Sequence, residues 1–106
     1  MISEFKVLLH LQNIGDSVIK DLEVFDYVPT LIDIVKEFSI GTLNPTRVLK
    51  HEKKGRSAVI WDIEKLDPHE ERIVSYNIKS KLTILGELTL PSAVVKFTHN
   101  NKRLKV

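Results

Sequence analysis

The chain has 106 residues, with 16 Lys and Arg against 14 Asp and Glu, and it contains no Cys. This length fits one domain with its own core, and the composition excludes collagen, coiled coils, disordered tails and disulfide scaffolds. Leu, Ile and Val number 13, 11 and 11, whereas Ala occurs only at Ala58 and Ala93. Because helical cores rely on Ala and Leu and β-branched residues favour strands, this bias favours an all-β fold.

The first two predicted strands, 4–12 and 18–27, alternate apolar and polar residues with the period of two that a half-buried strand shows. Gly15 in the turn between them permits a positive φ, which predicts a hairpin turn at this point. Asp26 and Pro29 are predicted to end the second strand at the rim of the fold, because proline cannot donate to a sheet ladder.

The spacing of apolar residues predicts a short helix over residues 30–38. The apolar residues that follow the helical spacing i, i+3, i+4 and i+7 are Leu31, Ile34, Val35 and Phe38. Together with Phe25 and Tyr27, this apolar side either packs over one open end of the fold or, if it stays exposed, marks a partner surface.

A hairpin is predicted next, with arms 46–51 and 56–63 and a loop in which Gly55 suits the left-handed position. Trp61 lies in the middle of the second arm between apolar residues, so we expect it in the core rather than at a ligand site.

The rest of the chain reads as further short strands separated by turns. Leu66 is predicted to close one end of the fold, and Pro68 stiffens the turn that reverses the chain. The remaining strands are predicted at 71–80, 82–90, 92–98 and 102–106. The whole pattern predicts one domain over residues 1–106, an immunoglobulin-like antiparallel β-sandwich of seven to eight strands with one short helix near 30–38.

The net charge of +2 is distributed in alternating blocks. Residues 1–46 and 57–71 each carry −4, whereas residues 47–56 carry +4 and residues 72–106 carry +6. Because acidic blocks interrupt the basic ones, the pattern argues against nucleic acid as a partner. The compact basic block at 47–56 is interpreted either as a solvated hairpin or as a site for an anion or acidic partner. Its cations are Arg47, Lys50, Lys53, Lys54 and Arg56. It lacks the interleaved aromatic residues that stack on bases.

No motif in the sequence indicates catalysis, a cofactor or a metal. The four His residues have no H-x-x-x-H spacing, and there is no nucleophile elbow or Gly-rich phosphate loop. Asp16, Asp21 and Asp26 recur every five residues, which alternates the faces of a strand and does not bring them together around calcium. The acidic residues of 62–71 surround a turn without the paired arrangement of catalytic carboxylates. We therefore predict a protein that is not an enzyme, with no cofactor.

Two stretches resemble the motifs of a known family. Asn13-Ile14-Gly15 followed by residues 22–29 resembles N-x-G-x(4–6)-V-x-V-x-D-x-x-P, and residues 61–70 resemble W-x-I-x-x-L-x-P-G-E. Residues 71–78 resemble the alternating strand that follows. Over residues 5–80 the chain thus resembles the conserved-repeat domain (domain of unknown function eleven) of archaeal and bacterial surface proteins and its cell-adhesion-related immunoglobulin-like relatives. It departs from them by having His69 in place of Gly and by inserting the helix-like segment 30–38.

The resemblance implies an immunoglobulin-like sandwich with a non-catalytic spacer or adhesion role in a larger, envelope-anchored protein. We expect the chain to be excised from such a protein and to contact a protein partner or neighbouring domains of the same chain. No signal peptide or membrane span is visible, so membrane attachment would come through a segment outside this chain. The alternative is a cytoplasmic binding domain that uses the 47–56 hairpin against nucleic acid or anionic lipid.

Overall fold

The computed structural model describes residues 3–30, 32–35, 44–51, 54–80 and 93–106, which form eight β-strands. In chain order these are β1 (Ser3–Gln12), β2 (Ile19–Pro29), β3 (Asp33–Val35), β4 (Arg47–His51), β5 (Arg56–Leu66), β6 (Glu71–Ser80), β7 (Val94–His99) and β8 (Lys102–Lys105). A three-stranded sheet has the order β1-β6-β3, and a five-stranded sheet has the order β4-β5-β2-β7-β8. All pairings are antiparallel. The predicted all-β sandwich is confirmed, whereas the predicted strand at 82–90 lies outside the described residues.

The core lies between the two sheets and is built from alternate residues of the long strands. The residues of β2, β5 and β6 that form this core cluster are Leu22, Val24, Val28, Val59, Trp61, Ile63, Leu66, Val74, Tyr76 and Ile78. Trp61 is fully buried, and its ring centroid lies 5.7 Å from that of Tyr76. The predicted core position of Trp61 is therefore confirmed, because the period of two places every second side chain of a strand on the same face.

Residues 33–35, predicted as part of a helix over 30–38, instead form β3 and pair with β6. Ile32 is buried and Ile34 packs against the core cluster. These two residues are two positions apart, so the segment also carries the period of a strand. Pairing with β6 satisfies the backbone hydrogen bonds while it buries Ile34, and this tertiary gain outweighs the helical spacing. The helix prediction is wrong at these residues, and most of the rest of that segment lies outside the described residues.

The connection between β1 and β2 crosses from one sheet to the other, so the predicted hairpin turn is wrong. Gly15 does not adopt a positive φ; its backbone N–H donates to Asn13 Oδ1 at 3.1 Å. Asn13 Nδ2 in turn donates to three carbonyl oxygens, those of Ser17 (2.8 Å), Leu66 (3.1 Å) and Asp67 (3.2 Å). The turn is therefore organised by the buried Asn13 side chain and not by glycine.

The same Asn13 joins this turn to the one between β5 and β6. Its N–H donates to the Glu70 carbonyl at 3.0 Å, and its carbonyl accepts from the His69 N–H at 2.8 Å. Leu66 is almost fully buried beside this contact and Pro68 lies in the turn, as predicted. His69 has a φ of 64°, the left-handed conformation that favours glycine. The two turns thus form one hydrogen-bonded unit at this end of the sandwich.

Several other turn predictions are confirmed. Gly55 has a φ of 65° in the β4–β5 hairpin. Asn100 and Asn101 have φ values of 51° and 61° between β7 and β8, as the central residues of a two-residue hairpin loop require. Pro29 is the last residue of β2.

Candidate functional site

Asp26 anchors the central strand β2 to the smaller sheet. It was predicted at the rim of the sandwich, but it is only 2% exposed and lies on the inward side of β2 together with Val24 and Val28. Tyr76 Oη of the opposite sheet donates to Asp26 Oδ2 at 2.5 Å, and the Tyr27 N–H donates to Asp26 Oδ1 at 3.2 Å. The rim prediction is wrong because Asp26 shares the alternation of the buried residues, and Tyr76 supplies the partner that a buried carboxylate requires.

Burial raises the pKa of both Asp26 and Tyr76. Desolvation raises the pKa of Asp26, although the hydrogen bonds from Tyr76 and the Tyr27 backbone act in the opposite direction. Burial and the hydrogen bond to Asp26 raise the pKa of the Tyr76 phenol. The pair therefore holds the two sheets together through one short polar contact inside an apolar core.

Because Asp26 points inward, its neighbours Phe25 and Tyr27 lie on the outer face of the five-stranded sheet. The register places Ile60 opposite Phe25 and Ala58 opposite Tyr27, and Leu49 of β4 lies opposite Ala58. Cross-strand partners share a face, so these five residues are neighbours. We call this group, Phe25, Tyr27, Leu49, Ala58 and Ile60, the aromatic face. Its two rings are partly exposed and Leu49 is 43% exposed, whereas Ala58 and Ile60 are buried beneath them.

Two cations lie against the rings of the aromatic face. The Arg56 guanidinium carbon is 4.4 Å from the centroid of the Tyr27 ring, and Lys96 Nζ is 5.2 Å from that of Phe25. Such contacts stabilise exposed pairs by about 0.5–1 kcal/mol and keep the cation above the ring. The hydrogen-bond donors of Arg56 and Lys96 are thereby held at the edge of an apolar surface. A partner that contacts the rings would also meet two positive charges.

The basic hairpin residues do not form a single cluster. Arg47 and Arg56 lie on the outer face with the aromatic residues, whereas Lys50 alternates to the opposite face of β4. Lys54 is exposed in the turn, and Lys53 lies outside the described residues. The hairpin that the sequence predicts is present, but its four described cations do not all lie on one face. Arg56 is the one for which the structure shows an aromatic neighbour.

Arg47 is engaged by carboxylates on the same face. Its Nε and Nη2 donate to the two carboxylate oxygens of Asp62 at 3.1 and 3.0 Å, and Nη2 also lies 3.4 Å from Glu23 Oε2. The hydrogen bond with Asp62, followed by the charges of Asp62 and Glu23, raises the pKa of the Arg47 guanidinium. In this bidentate pair the carboxylate of Asp62 balances the positive charge of the Arg47 guanidinium. Arg47 is therefore held by exposed ion pairs on the outer face of the five-stranded sheet.

The ion-pair cluster continues across the sheet to β8. Arg103 Nη2 lies 2.7 Å from Glu23 Oε1, and Arg103 Nη1 donates to Thr98 Oγ1 at 3.2 Å and to the Asp21 carbonyl. Glu23 of the central strand β2 therefore bridges Arg47 and Arg103, which belong to the two edge strands β4 and β8 of the five-stranded sheet. Sequence reasoning missed this bridge because Arg103 and Glu23 are 80 residues apart.

The acidic residues near 62–71 are also distributed among separate contacts. Asp67 pairs with Lys65 at 3.4 Å, and Glu70 pairs with Arg72 at 2.7 Å. The hydrogen bond from the Asp67 N–H, together with Arg72, lowers the pKa of Glu70. Among the described residues, no group of three or more His, Cys, Asp or Glu side chains is placed to hold a metal ion. Within the same ranges, no helix combines the length and apolar character needed to span a bilayer.

Comparison with known proteins gives no match. No family model matches the chain, and neither the curated proteins nor the solved structures contain a significant match to it.

Proposed function

We propose that this chain is a non-catalytic structural and interaction module of a larger envelope or membrane-anchored protein. The observation that carries this proposal is the aromatic face. Tyr, Phe and Arg are enriched at protein interfaces, and a partly exposed apolar patch bordered by polar groups is typical of an interaction surface. The occupant is a protein partner or a neighbouring domain of the same chain.

The rigidity of the platform supports this role. Phe25 and Tyr27 project from β2 on either side of Asp26, whose hydrogen bond to Tyr76 fixes β2 against the opposite sheet. A surface held in this way loses little conformational entropy on binding. The module would thus present its outer face as a preformed surface.

The contact between the two motif segments supports the resemblance to conserved-repeat and cell-adhesion-related domains. Asn13 of the first motif hydrogen-bonds to Leu66, Asp67 and Glu70 of the second. The second motif has Gly at the position of His69, and this residue adopts the left-handed φ that favours glycine. The motif residues therefore have coherent structural reasons to recur together, and we propose membership of this family on that basis.

Site-specific photocrosslinking tests the interaction surface in cells that naturally produce the chain. A photoreactive amino acid at Leu49, on the aromatic face, is expected to crosslink to a protein partner or neighbouring domain. The matched control is Leu8, a similarly exposed residue on the smaller sheet. The Leu49 product should disappear when Tyr27 is replaced by Ser. Equal products from both positions, or none from Leu49, would contradict the assignment of this face.

Cell fractionation tests the envelope part of the proposal. An antibody against the chain should detect, in the envelope fraction, a polypeptide larger than 106 residues. A species of about this length confined to the cytosol would overturn the envelope assignment.

A second candidate, a domain that binds nucleic acid, is favoured by one observation. The hairpin sequence lacks aromatic residues, but the fold brings Tyr27 against Arg56 of the hairpin. Stacking on an aromatic ring beside a cation is how many single-stranded nucleic acids are bound. Binding of single-stranded DNA at low salt should then weaken steeply with added salt and be lost in Tyr27→Ala and Lys53→Glu/Lys54→Glu, but not in the control Lys20→Glu. Absence of binding at micromolar concentrations would eliminate this candidate, and binding to anionic vesicles alone would replace it with a lipid surface.

A further inference from the structure

An apolar groove opens between the sheets at the end formed by the β1–β2 and β7–β8 turns. Its volume is about 700 Å³, within the range of roughly 300–1,000 Å³ that is usual for small-molecule sites. Leu22 and Leu66 of the core form its floor, and Leu11 of β1 forms one wall. Val95 and Phe97 of β7 form the other wall. The groove is separate from the aromatic face, because Val95 and Phe97 lie on the inner side of the five-stranded sheet.

The mouth of the groove is apolar and accessible along β8. Leu104 is 41% exposed and Val106 is 79% exposed, although both belong to the groove lining. The register pairs Leu104 with Phe97, so both side chains project from the same face of the sheet. Solvent contact with these residues is unfavourable, and an aliphatic ligand would remove it.

One cation lies beside the mouth on the β7–β8 side. The register pairs the lining residue His99 with Lys102, so the Lys102 side chain lies next to His99 on the groove side of the hairpin, just outside the lining itself. The one acidic side chain among the described lining residues is Asp16, which lies 3.2 Å from Nε2 of His69 across the turn. Arg103 alternates to the outer face, where it pairs with Glu23. An anionic group at this mouth would therefore find Lys102 and an imidazole N–H.

We infer that this groove binds a long-chain fatty acid. The aliphatic chain lies against Val95, Phe97 and Leu104, and the carboxylate lies at Lys102 and His99. One carboxylate matches Lys102, the one Lys that the described β7–β8 hairpin places on the groove side. The polar remainder of the lining, including Gln12 and Ser17, can hydrate the headgroup without a further charge. This site is independent of the aromatic face and of the interaction role proposed for it.

Calorimetric titration of the purified chain with dodecanoate, below its micelle concentration, tests the inference. We expect saturable one-to-one binding with a dissociation constant on the order of micromolar. Leu104→Glu should weaken binding at least about tenfold, because it places a carboxylate on the path of the chain. Leu49→Glu is the matched control, since Leu49 is exposed to nearly the same extent on the other face, and it should leave binding unchanged.

The headgroup is tested with a second pair of variants and an uncharged ligand. Lys102→Glu should weaken dodecanoate binding several-fold and leave dodecanol binding unchanged, whereas Lys50→Glu should change neither. Amide chemical-shift changes in the wild type should be confined to residues 11–19 and 93–106, which keeps the test valid if a variant fails to fold.

Three results would overturn the inference. The first is no binding at ligand concentrations up to about 1 mM, the level of the weakest specific complexes. The second is equal weakening by Leu104→Glu and Leu49→Glu, or shift changes spread over the whole chain, which would show non-specific detergent-like association. The third is a concentration-dependent dimer that Leu104→Glu abolishes, which would assign the groove to contact with a second copy of this chain.

Discussion

Replacing Tyr76 with Phe removes one hydroxyl from the interior and leaves the ring in contact with Trp61. The lost hydrogen bond is 2.5 Å long, joins the two sheets and lies between side chains that are 3% and 2% exposed. Hydrogen bonds to charged groups contribute about 1.5–3 kcal/mol, and a buried acceptor left without a donor adds a desolvation cost. Asp26 would retain only the N–H of Tyr27. We expect the free energy of unfolding at pH 7 to fall by about 2–3 kcal/mol.

The contribution of Asp26 to the free energy of unfolding should decrease as the pH rises. The pKa of Asp26 is raised in the folded protein, so the folded state binds this proton more tightly than the unfolded chain does. The stability that this group contributes is therefore greatest in acid and is lost as the pH rises from the unfolded pKa, about 3.9, through the folded pKa. Tyr76→Phe removes a hydrogen bond that lowers the pKa of Asp26. The loss in free energy of unfolding relative to the wild type should therefore be smaller at a pH where Asp26 is protonated. In Asp26→Asn the free energy of unfolding should depend less on pH than it does in the wild type.

Urea unfolding followed by the fluorescence of Trp61, the single Trp of the chain, measures these effects. With a slope of about 1–3 kcal/mol/M, a loss of about 2–3 kcal/mol should move the midpoint by roughly 0.7–3 M at pH 7. Tyr27→Phe is the matched control, because Tyr27 is the other Tyr and its ring lies on the outer face. A Tyr76→Phe variant within about 0.5 kcal/mol of the wild type at pH 7, with the same pH profile, would refute the reasoning.

Three further predictions concern the turns and the ion-pair cluster. Asn13→Ala should lower the free energy of unfolding by about 2–3 kcal/mol in urea, because it removes the donor to the buried carbonyl of Leu66 and to the part-buried carbonyls of Ser17 and Asp67, whereas Ile14→Ala, at an exposed position beside it, should change little; similar effects would contradict the organising role of Asn13. His69→Gly should raise the thermal midpoint, because glycine adopts the left-handed φ of this position without strain. The corresponding gain in the free energy of unfolding should be up to about 1 kcal/mol, and a lower midpoint would be evidence against strain at His69. Glu23→Gln should lower the urea midpoint at about 0.01 M salt and much less at about 1 M, where the ion pairs are screened; a salt-independent effect would exclude an electrostatic role.

The placement of Asp26 and Gly15 shows where sequence reasoning on this chain fails. Both were assigned from turn chemistry, which gives Gly a positive φ and gives Asp a place at strand ends. Asp26 in fact follows the alternation of Val24 and Val28, a signal present in the sequence that points inward. Its partner Tyr76 is 50 residues away, so no local pattern reveals why a carboxylate is tolerated there. The turn function expected of Gly15 belongs to Asn13, whose acceptors lie in a distant turn.

The candidate site divides in a similar way. The hairpin and its left-handed Gly55 follow from local spacing, and its cations can be read directly from residues 47–56. The aromatic residues that accompany Arg56 come from β2, and only the register of β2 against β5 places Tyr27 beside it. Arg47, the first cation of that block, is matched by carboxylates of β5 and β2. The sequence therefore located a basic segment, and the fold determined which of its cations contact carboxylates and which contact an aromatic ring.

The sequence by itself determined that this protein is built from strands, because the period of two and the excess of β-branched residues are local properties that each segment carries alone. It also determined which face of β2 is buried, since the apolar residues of that strand alternate. In β5 residues 57–61 are all buried, so there the fold covers both faces. The tertiary structure alone decided that 33–35 pair with β6 and that Asn13 joins two turns. It also decided that Glu23 bridges Arg47 and Arg103. Those outcomes depend on which strands become neighbours, and that choice is made by burying the whole core at once rather than by any one segment.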